Sequence, residues 1–163
     1  MNRLYPVGIQ NFEDLRSRGY IYADKTLLLY NLVQTGKYYF LSRPRRFGKS
    51  LMISTLEAYF LGKRELFKGL AMESLEKDWA VHPVLHMDLN TEKYDTEASL
   101  ENKLELTLKQ WEAEYGHNSD EYSVATRFEG VIRRAAKKMG QKVVILIDEY
   151  DKPMLQAITN PEL

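Results

Sequence analysis

Apolar and polar positions along this chain follow two periods, and the switches between them mark the elements. Leu100, Leu104, Leu108, Trp111 and Tyr115 recur at spacings of three or four before Gly116, which predicts an amphipathic helix. Val124, Phe128, Val131, Ile132, Ala135 and Met139 predict another, ended by Gly140, with Arg133, Arg134, Lys137 and Lys138 set against its negative C-terminal dipole. A third carries Leu51, Met52, Ile53, Leu56, Tyr59 and Phe60, stops at Gly62, and is apolar over enough of its surface to be central. Two shorter helices precede it. One starts at an Asn11 cap, with Asp14 in its first turn, and ends at Gly19; the other runs from about 24 to 35, with Asp24 as N-cap and Gly36 just beyond.

Short apolar runs lie between the helices. Tyr38, Tyr39, Phe40 and Leu41, within 37–43, are aromatic-rich and brief, as a buried strand should be. Residues 83–89 predict a second strand, with Pro83 tolerated at its first position. Residues 142–147 predict a third, whose five uninterrupted aliphatics suit a strand buried on both faces. With no internal repeat or linker-like tract, this alternation predicts an α/β layer fold.

Composition narrows the setting. A chain of 163 residues can form one domain and bury roughly 70% of its unfolded surface. Twenty-three Lys and Arg balance 23 Asp and Glu, which argues against a global attraction to nucleic acid or anionic membrane, since such binding feeds on excess cations. The absence of cysteine excludes a disulfide framework and thiolate zinc sites. The N-terminal segment lacks the apolar core of a secretion signal. The longest aliphatic run, 143–147, falls far short of the roughly 20 residues of a spanning helix. The expectation is a soluble, cytoplasmic protein. His82, His86 and His117 show no metal-ligand spacing, and His86 with Asp88 reads as a core or turn feature.

The charge that cancels overall is concentrated in two turns. Ser42, Arg43, Pro44, Arg45, Arg46, Phe47, Gly48, Lys49 and Ser50 lead from the first strand into the central helix. In such a turn Gly48 lets the backbone approach phosphate oxygens, and the free N–H groups of the new helix face the anion. Lys49 can reach the β- and γ-phosphates, and the Ser50 hydroxyl can ligate magnesium. The pattern G-x-x-x-x-G-K-[ST] would place glycine at position 43, where this chain has arginine. Gly-Lys-Ser/Thr arises by chance in about one chain in ten of this length, so its place between a strand and an apolar helix carries the weight. The second turn follows Val143, Val144, Ile145, Leu146 and Ile147, and consists of Asp148 and Glu149. An acid at a strand's C-terminal end sits where ligands bind in open parallel sheets. Asp148 suits a magnesium ion held partly through water, and Glu149 suits orienting an attacking water. A glutamate directly after the aspartate favours an ATPase over a small GTPase.

The chain resembles the predicted AAA-ATPase-like proteins of bacteria and archaea. The resemblance rests on Tyr5-Pro6-Val7-Gly8-Ile9-Gln10-Asn11-Phe12, Tyr22-Ala23-Asp24-Lys25-Thr26, the Arg-Pro-Arg-Arg-Phe-Gly-Lys-Ser loop at 43–50, and Leu146-Ile147-Asp148-Glu149-Tyr150-Asp151-Lys152-Pro153. It covers essentially the whole chain, and the arginine-bearing loop is the family's own recurring form. The resemblance implies a P-loop NTPase-type three-layer αβα fold with a mostly parallel sheet, incomplete here. Residues 1–163 would be the N-terminal part of a single AAA-ATPase-like domain, containing both Walker A and Walker B. It implies a STAND-like nucleotide switch with ATP and Mg2+ as cofactors. Arg43, Pro44, Arg45, Arg46, Phe47, Gly48, Lys49, Ser50 and Leu51 would bind the nucleotide, Ser50 and Asp148 the metal, and Glu149 would be the catalytic acid. Asp24 and Lys25 would pack near the adenine, although a capping Asp and a surface Lys explain them nearly as well.

Intact relatives continue into further strands and often a PD-(D/E)XK nuclease-like region, so ATP binding rather than hydrolysis is the expectation for this chain. The sheet would then have a gap, to be filled by an unusual pairing, by self-association or by a partner chain. DNA is a possible partner through the nuclease-like region of the relatives. The alternative is a non-catalytic remnant serving as an interaction or DNA-associated module, motivated by the arginine loop.

Overall fold

The computed structural model describes residues 4–42, 47–90, 96–153 and 155, with the backbone alone at Glu97. The chain divides into two compact units, 1–81 and 82–163. The fold is α/β: eight helices and strands plus one 3-10 turn, with a two-stranded parallel sheet among the described residues.

The first unit is helical. Helix α1 (Phe12–Ser17) begins where the Asn11 side chain accepts the Asp14 N–H, as the sequence predicts, and Gly19 at φ +69° lies just past its end. Helix α2 (Thr26–Thr35) starts one position later than expected. Lys25 occupies the N-cap position without a side-chain bond, while the Asp24 carboxylate accepts both the Thr26 N–H (2.8 Å) and the Thr26 hydroxyl (2.7 Å). Helix α3 (Lys49–Phe60) is followed by a 3-10 turn (Arg64–Phe67) and a short helix α4 (Ala71–Leu75). Phe12, Leu15, Phe67 and Met72 are fully buried, and Phe12, Phe67 and Trp79 form a continuous aromatic contact with centroids 5.0 and 5.1 Å apart. Arg16 locks α1 to the 3-10 turn by donating to the Leu66 and Lys68 carbonyls.

One expected strand is absent among the described residues. The described part of the 37–43 run, 37–42, is neither helix nor strand, and Tyr38, Tyr39 and Phe40 are 93, 51 and 74% exposed. β-propensity does not make a strand without a neighbour offering a hydrogen-bond ladder, and among the described residues this segment has none. Instead the Tyr39 hydroxyl turns back onto α2, donating to the Leu32 carbonyl and meeting the Thr35 hydroxyl at 3.1 Å.

In the second unit, β1 (Val84–Asp88) and β2 (Val144–Asp148) pair in parallel, from Val84 opposite Val144 to Asp88 opposite Asp148. Parallel strands need a long crossover, and helices α5 (Glu97–Tyr115) and α6 (Val124–Met139) supply it. Thr96 caps α5, Ser123 and Thr126 form a capping box on α6, and Gly140 ends α6 at φ +63°. The predicted helical stripes meet: Leu108, Trp111, Tyr115, Val131 and Ala135 pack on Leu85, with Met87 and Val143 beside them. The expectation that β2 is buried on both faces is corrected. Leu146 and Asp148 are buried, but Ile145 and Ile147, which alternate with them and share the other face of the strand, are 41 and 45% exposed.

The crossover helices are also joined by charge. Arg127 binds Glu112 through two bonds of 2.8 Å and Glu105 through one of 2.6 Å, and Arg134 donates to Glu121 at 2.7 Å. The Glu121 carboxylate lies so close to α6 that a Cβ at Gly130 would stand 1.9 Å from its Oε1. Hydrogen bonds from Arg127 hold the Glu112 carboxyl below the usual carboxylate range, and Arg134 does the same for Glu121. A depressed folded-state pKa gives stability that is present above the ordinary carboxylate value and lost as pH falls through the depressed one. Thermal melts followed by circular dichroism should therefore show a midpoint that holds from neutral pH to about 5 and drops steeply below about 4. In Glu112→Gln, which starts less stable, the drop should be shallower.

Candidate functional site

The Gly-Lys-Ser turn opens α3 as the sequence requires. Gly48 takes the N-cap position at φ +74°, ψ +27°, a left-handed conformation in which a side chain costs about 1 kcal/mol or more. A Cβ there would meet nothing within 4 Å, so backbone conformation, not space, demands glycine. No side-chain hydrogen bond caps the helix among the described residues, and its first turn contains no acid. The N–H groups of Lys49, Ser50 and Leu51 thus precede the first intrahelical bond, Met52 N–H to Gly48 O at 3.0 Å. Neither the Lys49 ammonium nor the Ser50 hydroxyl has a partner among the described residues. An uncapped helix start with an uncommitted cation has the electrostatics of an anion site.

Beside this helix start lies a cavity of about 340 Å³, bounded by Gly48 and Phe47 and walled by Ile21, Tyr22, Leu28 and Met52. Its lining is mostly apolar, with Lys25 at one side. The two N-terminal motif segments shape it. Ser54 of α3 accepts the Phe12 N–H (3.0 Å) and donates to the Gln10 carbonyl (3.1 Å), which ties the first segment to α3. The Phe12 ring meets Tyr22 edge-on at 5.3 Å, which fixes the second. Burial pushes the Tyr22 hydroxyl's pKa up despite its hydrogen bond with Thr55, so the phenol remains a neutral hydrogen-bonding group. Asp24 uses both carboxylate oxygens structurally, one on Thr26 and one on the Ala71 N–H at 2.8 Å. Although burial opposes ionisation there, the Thr26 and Ala71 hydrogen bonds outweigh it and hold the carboxyl below its usual range. Its place is a helix-end clamp, the capping alternative.

The acidic turn belongs to the second unit. Asp148 is 8% exposed at the C-terminal end of β2, with Oδ1 accepting the Glu149 N–H at 2.9 Å. Glu149 takes φ +54°, an uncommon conformation for a residue other than glycine and one found preferentially at functional sites. A buried oxygen of Asp151 has no hydrogen-bond partner among the described residues. Among those residues no three His, Asp or Glu converge as a metal cage. Magnesium held by one or two carboxylates, waters and substrate phosphates does not require such a cage, and the buried Asp148 carboxylate, with one oxygen on an amide, fits that donor set.

The same strand ends carry residues that spacing did not single out. Asp88 stands in register with Asp148 and accepts the Asn90 N–H at 2.7 Å, while Lys152 donates to the Asn90 carbonyl at 2.5 Å and closes the turn after Glu149 over the end of β1. Only strand register reveals this, because 60 residues separate Asp88 from Asp148. Of the expected nucleotide-binding residues, Phe47, Gly48, Lys49, Ser50 and Leu51 are gathered at the α3 start. Asp148 and Glu149 share the β2 end. Arg43, Pro44, Arg45 and Arg46 lie outside the described residues.

The family model described as predicted AAA-ATPase matches residues 6–163. The chain is 41% identical over 160 residues to an uncharacterised protein from the vnfD 5′ region of Azotobacter chroococcum mcd 1. That alignment covers 97% of this chain and 31% of the relative, so the chain spans about a third of the length of the curated relative it matches. No solved structure matches. No helix among the described residues is long and apolar enough to cross a membrane.

Proposed function

Because the chain belongs to the predicted AAA-ATPase family, we propose that its nucleotide-binding role is the binding of Mg-ATP by a variant P-loop in a three-layer αβα domain. The observation that carries this reading is the apolar cavity of about 340 Å³ whose wall includes Gly48 at the uncapped start of α3. Adenine would occupy the cavity against Tyr22, Leu28 and Met52, and the triphosphate would lie along the first-turn N–H groups, where the helix dipole and Lys49 favour negative charge. Arg43, Arg45 and Arg46 would add cationic contacts to the phosphates around Pro44. Ser50 in the first unit and Asp148 in the second carry the oxygens that would hold the metal. Magnesium, when bound, would supply neutralisation of the phosphate charge. Glu149 would orient a water at the γ-phosphate. In longer relatives the same switch would drive a nuclease-like region acting on DNA.

Titration with a fluorescent ATP analogue tests the reading. Binding should saturate, be displaced by unlabelled ATP and strengthen with Mg2+. Ala23→Trp, which places an indole in the cavity, should weaken it about tenfold, the cost of excluding part of a buried base. No saturable binding in a protein folded by circular dichroism would overturn the proposal in favour of a non-catalytic interaction module. DNA binding by nucleotide-free protein that falls steeply with salt would identify that module as DNA-associated.

A further inference from the structure

We propose that Lys152 is a positioning residue of the acidic turn: by tying the turn to the end of β1, its ammonium sets the direction of the Asp148 carboxylate that would hold the metal. The inference rests on the Mg-ATP reading above. It starts from the backbone, because Glu149 at φ +54° has a conformation that persists only where neighbouring bonds over-determine it. Two of those bonds are local. The Glu149 N–H donates to Asp148 Oδ1 at 2.9 Å, and the Glu149 carbonyl accepts the Lys152 N–H at 3.0 Å. Bonds within one turn set its shape but not its place on the sheet. The last rung of the ladder is Leu89 N–H to the Asp148 carbonyl at 3.1 Å, and beyond it the Lys152 ammonium donates to the Asn90 carbonyl at 2.5 Å. Asn90 is held in turn, since its N–H donates to Asp88 Oδ1 at 2.7 Å and Asp88 stands in register with Asp148. The contacts close a ring from Asp148 through Glu149, Lys152, Asn90 and Asp88 back to Asp148.

The bonds that the ammonium does not make separate this role from charge neutralisation. Asp148, Glu149 and Asp151 all lie close to Lys152 in sequence, yet among the described residues Lys152 pairs with none of them and spends its charge on a carbonyl. The carboxylates are left for another cation. Asp148 is 8% exposed, with Oδ1 fixed by the Glu149 amide and the second oxygen without a hydrogen-bond partner among the described residues. A carboxylate held through one oxygen and open through the other suits a magnesium site completed by waters and phosphates, and its direction follows wherever the Glu149 amide is placed. Groups that orient a metal-holding side chain in this way are worth about 10–100-fold in metal affinity.

Position and charge predict opposite signs. In the full chain, the ratio of fluorescent ATP-analogue affinity with Mg2+ to affinity in EDTA measures what the metal adds. Lys152→Met keeps the aliphatic stem and removes the ammonium, so the ratio should fall about tenfold. Affinity in EDTA should not change, because the α3 start and its cavity belong to the first unit. An ammonium acting by charge alone would oppose a second cation, and its loss would raise the ratio. Lys152→Arg still donates to a carbonyl and should recover most of the ratio. In nucleotide-free protein, hydrogen exchange read by NMR should find the Glu149 and Lys152 amides protected in wild type and about tenfold faster in Lys152→Met, with the α5 and α6 amides unaltered. A ratio that rises or holds in Lys152→Met overturns the proposal, as does a fall that Lys152→Arg leaves uncorrected. Unprotected Glu149 and Lys152 amides in wild type overturn it whether or not the variant folds. The two readings fail separately: a wild-type protein that gains nothing from Mg2+ overturns both, whereas an intact gain in Lys152→Met overturns this inference alone.

Discussion

Lys49→Ala should weaken Mg-ATP binding at least tenfold, and about a hundredfold if the ammonium contacts two phosphate oxygens, while leaving the unfolding temperature of the nucleotide-free protein unchanged. A charge-assisted hydrogen bond is worth about 1.5–3 kcal/mol, and each 1.4 kcal/mol is about a factor of ten. The second half of the prediction follows from geometry, because the Lys49 ammonium has no partner among the described residues, so its loss breaks no contact among them. Fluorescent-analogue titration measures the first half. Thermal melts with and without Mg-ATP measure the second, since a ligand at about 100 times its Kd stabilises by about 2.7 kcal/mol, and the variant should lose most of that protection. Lys49→Arg should not restore affinity fully, because a planar guanidinium cannot take the place of a compact ammonium. Unaltered affinity in Lys49→Ala would remove the α3 start from the site.

The second large effect concerns the scaffold of the acidic turn. Arg127→Ala should destabilise the second unit by about 3 kcal/mol. The Arg127 side chain is 13% exposed and grips Glu112, itself 8% exposed, with two parallel bonds while also reaching Glu105. Removing the guanidinium leaves a buried carboxylate without compensation, which costs more than the pair contributes when intact. The double variant Arg127→Ala, Glu112→Gln should recover part of the loss, and Arg127→Lys only a little, because an ammonium cannot form the bidentate fork. Urea unfolding followed by circular dichroism reads all three. The pH dependence should change as well. Wild-type protein loses this contribution as acid protonates Glu112, so the gap between wild type and Arg127→Ala should narrow below about pH 4. A gap that stays constant with pH would show that the pair is not what Arg127 contributes.

The elements that were legible in the sequence are those whose signal is local. The three- and four-residue spacing from Leu100 to Tyr115 and from Val124 to Met139 predicted α5 and α6, and both stripes are buried or half-buried where the period placed them. Asn11, Gly19 and Gly140 marked helix ends because capping and left-handed backbone are short-range requirements. Residues 38–41 misled for the opposite reason. Their composition suits a strand, but a strand exists only as part of a ladder, and no composition supplies a neighbour. The 143–147 run was read correctly as a strand and incorrectly as buried on both faces, since burial depends on what lies alongside.

The candidate site divides the same way. Gly48, Lys49, Ser50, Asp148 and Glu149 are recognisable from residue type and position, because phosphate and magnesium chemistry constrain a few consecutive side chains. The cavity beside Gly48, the clamp made by Asp24, the register of Asp88 with Asp148 and the tie from Lys152 to Asn90 are long-range features. Sequence by itself determined five of the helices, the ends marked by Asn11, Gly19 and Gly140, two of the strands and the chemical identity of both turns, all of which rest on interactions within a few residues. Tertiary structure decided which apolar run is paired, which face of β2 is exposed and what surrounds the start of α3, because each of those is settled by segments far apart in the chain meeting in space.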